Sequence, residues 1–173
     1  ETALDDNTSF DTYIEYKYNG KKCGVGIEVK YTEEGYPIGK LEKVRVMEQQ
    51  YSLYAIKTRQ CGMYKEKMTH NPLCETILCK DDYRQIWRNH LLGATMVMNG
   101  QISRFHSLTL YPKGNPHFRK VLPEYESTLS EYGKATFGYL TIEDLIVHLA
   151  KCFEMTDKNK EWIDYLNTRY PFI

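Results

Sequence analysis

Alternation of apolar and polar positions is clearest near the start of the chain, where Phe10 to Lys30 forms two β-branched and aromatic runs hinged at Asn19-Gly20. Both hinge residues tolerate positive φ, so the pattern predicts a hairpin closed by a two-residue turn. Counting outward from that turn sets Tyr18 opposite Lys21 and Asp11 opposite Glu28. Gly24 and Gly26 interrupt the second run, predicting either a close approach of another group or a bulge that would slip the register by one residue. Thr32 to Gly39 reads as a loop, and Lys40 to Tyr64 mixes helix formers with apolar residues at irregular helical spacing. Cys61 to Lys80, with Gly, Asn-Pro and scattered cysteines, predicts a loop carrying short helical turns.

A helical period follows. Tyr83, Ile86, Trp87, Leu91, Ala94, Thr95 and Met98 trace an apolar stripe, predicting a helix with Asp81 as N-cap that runs to about Asn99. Arg104 to Tyr111 alternates as a strand and is broken by Pro112 to Pro116. Asn115 is read as the cap of a helix ending before a Gly133-Lys134 turn, with a short strand at Ala135 to Tyr139. Thr141 to Asp144 is a capping-box variant ahead of Leu145, Ile146, Leu149 and Ala150, and a last helix over Lys158 to Arg169 carries Trp162, Ile163 and Leu166. The order β-β-α-β-α-β-α-α predicts a mixed central sheet flanked by helices, an α/β architecture.

With 173 residues, 42% hydrophobic and 27% charged, and no internal repeat or low-complexity linker, the chain reads as a single domain over 1–173. It opens on Glu1 rather than Met, and truncation of an N-terminal element is expected. Twenty-three basic against twenty-three acidic residues leave no net field, so any basic surface must be local. Arg84 and Arg88, one helical turn apart, are candidates to meet a nucleic-acid backbone, with Arg104, Lys113, Arg119 and Lys120 near the ends of the strand after the helix. Five irregularly spaced cysteines, no signal peptide and no apolar run of membrane length predict a soluble protein of a reducing compartment, the cytoplasm. Cys61, His70, Cys74 and Cys79 lack paired Cys-x2-Cys knuckles, which favours thiols over structural zinc. His106 and His117 receive no role. Most of the fifteen tyrosines read as core and sheet-edge residues, with one or two available for stacking on unpaired bases.

The chemistry lies at the open end of the hairpin. Asp11 opposite Glu28, with Lys30 on the same strand face as Glu28, brings three ionisable groups together. Like charges directly across a strand pair repel unless a cation lies between them. Carboxylate oxygens with positions left for water suit Mg²⁺ or Mn²⁺, and phosphoryl chemistry is the natural expectation. A simple solvated strand face is the competing reading.

An acid, a hairpin, and then Glu28-Val29-Lys30 at the end of the second strand resemble the core of the PD-(D/E)xK nuclease superfamily. The blocks Thr8 to Asp11, Val25 to Glu33, Tyr83 to Leu92 and Leu110 to Asn115 together resemble, more particularly, a bacterial family of restriction-endonuclease type. The resemblance covers most of the chain. It implies a restriction-endonuclease-like core and Mg²⁺-dependent hydrolysis of phosphodiester bonds in DNA by an endonuclease of bacterial defence, acting as a homodimer or within a larger assembly. Asp11, Glu28 and the Val29 carbonyl would hold the metal, Lys30 would orient or deprotonate the attacking water, and Gln85 matches a glutamine set near that water or the phosphate. Phe10 stands where the superfamily pattern has Pro, and an acid from a helix before the first strand has no evident counterpart. Two other readings remain: a nuclease fold that no longer cleaves and binds DNA or a partner, and a hydrolase of free nucleotides.

Overall fold

The computed structural model describes residues 4, 8–32, 52–70 and 72–170. The loop read at Thr32 to Gly39, beyond Thr32 itself, and the mixed segment from Lys40 as far as Tyr51 lie outside them.

The hairpin forms as the alternation predicts. Strands β1 (Thr12–Tyr18) and β2 (Lys21–Val29) pair antiparallel from Tyr18↔Lys21 to Thr12↔Ile27 without a bulge. The turn residues Asn19 and Gly20 have φ of 51° and 74°, the positive values that a two-residue hairpin turn requires. Gly24 and Gly26 mark close approaches. A Cβ on Gly26 would lie 2.5 Å from the Phe10 ring, and one on Gly24 would lie 2.5 Å from the Tyr13 hydroxyl. Phe10 therefore lies flat on the strand beside it, in ring contact with Tyr13 and Phe105.

Helix α1 (Leu53–Gln60), the one-turn α2 (Glu66–Thr69) and two short 3-10 turns lead into α3 (Asp81–Met98). Helix α3 starts at Asp81 itself, so its cap lies one residue earlier than expected. Lys80 occupies the cap position without a side-chain bond, while Asp81 is already helical and gives its carboxylate to Arg84. Its acidic first turn, Asp81 and Asp82, suits the positive end of the helix dipole. From Ile86 to Thr95 every residue is buried, so this helix is enclosed on all sides rather than amphipathic; Met98, at its far end, is exposed.

Strand β3 (Arg104–Tyr111) runs parallel to β2, with Glu28 beside Thr109, and Lys30 N–H donates to Leu110 C=O at 2.8 Å. Asn115 caps α4 (Pro116–Glu126), its Oδ1 accepting from the His117 and Phe118 N–H groups. The expected single helix up to Gly133 is instead two: α4 stops at Glu126, and a separate turn α5 (Glu131–Lys134) is capped by Ser130. Gly133 is inside that turn, where a Cβ would lie 2.1 Å from the Met63 carbonyl oxygen. Strand β4 (Phe137–Thr141), two residues later than predicted, pairs parallel with β3. Thr141 accepts from Asp144 N–H and opens α6 (Ile142–Cys152), and α7 (Asp157–Arg169) follows.

Among the described residues the sheet order is β1-β2-β3-β4, with one antiparallel and two parallel pairings. One face is covered by α3 and α4 with Trp87, Leu91, Phe118, Tyr125 and Phe137; the other by α6 and α7 with Leu110, Ile146 and Ile163. This is the mixed sheet between helices that the element order predicts. Among the described residues no helix is long and apolar enough to cross a membrane.

Candidate active site

Three elements meet at the carboxyl end of β2, the end of parallel strands where ligands of open α/β sheets gather. The β1–β2 ladder closes at Thr12↔Ile27, and Asp11, the next residue outward, turns its Oδ2 to accept the Val29 N–H at 2.8 Å. Backbone polar groups of a strand alternate in direction. Lys30 N–H points to β3, so Val29 points its N–H and C=O to the β1 side, past the point where that strand begins. Glu28 and Lys30 project from the opposite face to Val29, under α3.

Glu28 and Lys30 are both buried, and their ion pair measures 2.7 Å from Nζ to Oε1. Helix α3 supplies the rest. Gln85 donates through Nε2 to Glu28 Oε1 and accepts from Lys30 Nζ at 2.5 Å, while Asn89 donates through Nδ2 to Glu28 Oε2 at 2.6 Å. Gln85 and Asn89 are one helical turn apart and so reach the same carboxylate. Burial pushes the Glu28 carboxyl above its ordinary pKa; Lys30 and Asn89 pull it back, and the charge of Asp11 adds to the rise.

The sequence-predicted residues Asp11, Glu28, Val29, Lys30 and Gln85 thus come together. Asn89 was missed. Its signal was its spacing of one helical turn from Gln85, but that spacing matters only if the helix lies on β2, which a single sequence does not show.

The basic candidates fare differently. Arg84 and Arg88 are buried. Arg84 donates to the Cys79 carbonyl and to Asp81, and Arg88 donates to Thr8 Oγ1 and Tyr54 OH at 3.0 Å each with its guanidinium over the Tyr54 ring. The expectation that they meet a nucleic-acid backbone is corrected: helix α3 is enclosed on every side, so its cations are held by protein groups. Arg104 stays exposed, at the other end of the sheet. It starts β3 beside Cys23 and stacks on Tyr18, about 16 Å from the Glu28 level at 3.3 Å per residue. Lys113 follows β3 at the site's end of the sheet, with Nζ 2.8 Å from Asp144 and its N–H donating to both oxygens of the buried Glu143.

The donors on offer are two carboxylates and a main-chain carbonyl, all hard oxygens. Among the described residues no three His, Cys, Asp or Glu side chains form a metal-binding group, and the five cysteines are free thiols, with burial pushing Cys61 up to about 11 and Cys79 up to about 12. Carboxylate, carboxylate and carbonyl nevertheless fit a hard divalent ion that keeps most of its own waters.

No curated protein and no solved structure matches the chain at a significant level. A family model described as the PD-(D/E)XK nuclease superfamily matches residues 1–172. The match spans Asp11, Glu28, Val29, Lys30, Gln85 and the sheet that unites them, and by it the chain belongs to the PD-(D/E)XK nuclease superfamily.

Proposed function

We propose that this protein is a Mg²⁺-dependent endonuclease, Mn²⁺ serving as an alternative ion, that hydrolyses phosphodiester bonds in DNA. The observation that carries the reading is the junction of Asp11, Glu28, Lys30 and Gln85 at one end of β2. Asp11, Glu28 and the Val29 carbonyl would hold the ion, which when bound acidifies water and offsets negative charge on the phosphate. Lys30 Nζ, paired with Glu28 and Gln85, would donate to and orient the attacking water and offset negative charge on the phosphate. Gln85 keeps Lys30 and Glu28 at a fixed separation through opposite ends of its amide. A cytoplasmic role in bacterial defence is proposed on the resemblance to restriction-type families, and Lys113 remains a candidate contact to the DNA backbone.

Plasmid and single-stranded DNA incubated with Mg²⁺ or Mn²⁺ test the reading. Cleavage by the wild type that falls at least 100-fold in Glu28→Ala and Lys30→Ala is expected. Equal cleavage by the variants would refute the assignment. DNA binding without cleavage would favour the second reading, a binding module, and turnover of free nucleotides alone would favour the third.

A further inference from the structure

Glu28 is held by three side-chain donors among the described residues, and their distribution between its two oxygens is uneven. Among the described residues, Oε1 accepts from Lys30 Nζ and Gln85 Nε2, and Oε2 accepts only from Asn89 Nδ2. An ionised carboxylate has about four lone-pair sites, two on each oxygen. Oε1 is therefore saturated and Oε2 keeps one site open. Rotation of the carboxylate would exchange the two oxygens, and Asn89 opposes it from a buried position on a helix enclosed on all sides.

We infer that Asn89 is a positioning residue whose amide fixes the Glu28 carboxylate so that Oε2 alone is presented, through one oxygen, to a divalent cation. This rests on the metal-site reading above and adds to it a residue and a mode of ligation. Asn89 does not touch the cation or the substrate. Its backbone is fixed by α3 and its amide fixes Glu28, as outer partners commonly orient metal-binding carboxylates. An apolar residue there would leave Oε2 without its donor and the carboxylate held through Oε1 alone, at a cost paid on metal binding rather than on folding alone.

The test measures Mn²⁺ binding directly, by the electron paramagnetic resonance of free Mn²⁺, in the full chain without DNA. Asn89→Leu, of similar volume and without a donor, is expected to bind Mn²⁺ 10- to 100-fold more weakly than wild type. Thr95→Val, buried on the same helix and bonded only to the Leu91 carbonyl, is the control for general loosening of α3 and is expected to bind as wild type. Because Asn89→Leu could fail to fold, the wild-type protein provides a second readout: the Asn89 side-chain NH₂ resonance is expected to shift with Mg²⁺ in proportion to saturation. Wild-type affinity in a folded Asn89→Leu, or an Asn89 amide unmoved by saturating Mg²⁺, would overturn the inference while leaving the metal site intact. Equal weakening in Thr95→Val would overturn it as well. Failure of the wild type to bind Mn²⁺ would instead bring down the metal-site reading and this inference with it.

Discussion

Replacing Lys30 by methionine tests the energetics of the site without any cation or DNA. Lys30 and Glu28 have side chains 8% and 5% exposed and 2.7 Å apart, so solvent screens the pair little. Removing one partner of a buried ion pair costs about 3–5 kcal/mol, because the remaining charge is left without compensation. Gln85 Oε1 loses its donor in the same step, and Gln85 Nε2 and Asn89 Nδ2 continue to donate to Glu28. The metal-free protein has an escape: Glu28 can take up a proton. Burial already holds its pKa above the ordinary value and Lys30 is the strongest opposing influence, so the variant raises it further. A carboxyl whose folded pKa lies above its unfolded one loses stability as pH rises from the unfolded value through the folded value, with a slope of at most about 1.4 kcal/mol per pH unit. Urea denaturation of wild type and Lys30→Met in EDTA at pH 8 and pH 5 measures this. A loss of about 3 kcal/mol or more at pH 8 is expected, with a distinctly smaller loss at pH 5 and partial recovery at pH 8 in the double variant with Glu28→Gln. A loss below about 1 kcal/mol at pH 8, or one equal at both pH values, would refute the reasoning.

Three further outcomes follow from the fold. His90 is fully buried between Tyr125 OH and Thr136 Oγ1, and burial pushes its pKa down to about 3; its ring resonances should not titrate between pH 8 and 5. Since the unfolded chain takes up that proton near pH 6.5, His90 contributes stability above that pH that is lost on acidification, opposite in sign to Glu28, and replacing it by phenylalanine should remove that share of the acid loss in urea melts. Gly93→Ala would set a Cβ 1.9 Å from the Phe105 ring, which is backed by Phe10; a loss of about 1–3 kcal/mol is expected in denaturation, relieved in part by Phe105→Leu. Arg104→Ala removes a stack on Tyr18 at the far end of the sheet, so a loss of about 0.5–1 kcal/mol in stability and no change in DNA affinity by fluorescence anisotropy are expected.

The parts of the fold legible in the sequence are those governed by neighbours along the chain. The Asn19-Gly20 turn, its register, the limits of β3, the Asn115 cap and the Thr141 cap all depend on groups within a few residues of each other or on counting from a turn. Elements whose ends are set by distant contacts were less legible. Gly133 reads as a turn until the Met63 carbonyl is seen against it, and β4 is displaced by two residues because its limits are set by pairing with β3.

The candidate site divides the same way. Counting from Asn19-Gly20 brings Asp11 to Glu28 and Lys30 because strand periodicity is local geometry, and the resemblance adds Gln85. What α3 touches is a tertiary matter. Helical spacing alone makes Arg84 and Arg88 look like surface cations and leaves Asn89 without notice, since one turn of a helix has the same sequence spacing whether its far side faces water or protein. Folding encloses α3 on all sides, and a buried charge or amide must then find a partner. Arg84 turns to Cys79 and Asp81, Arg88 to Thr8 and Tyr54, and Asn89 to Glu28. The sequence by itself determined which acids and lysine meet at the hairpin's end; only the packing of α3 on β2 decided which polar groups hold them there, because desolvation acts on the folded neighbourhood and not on the spacing of residues.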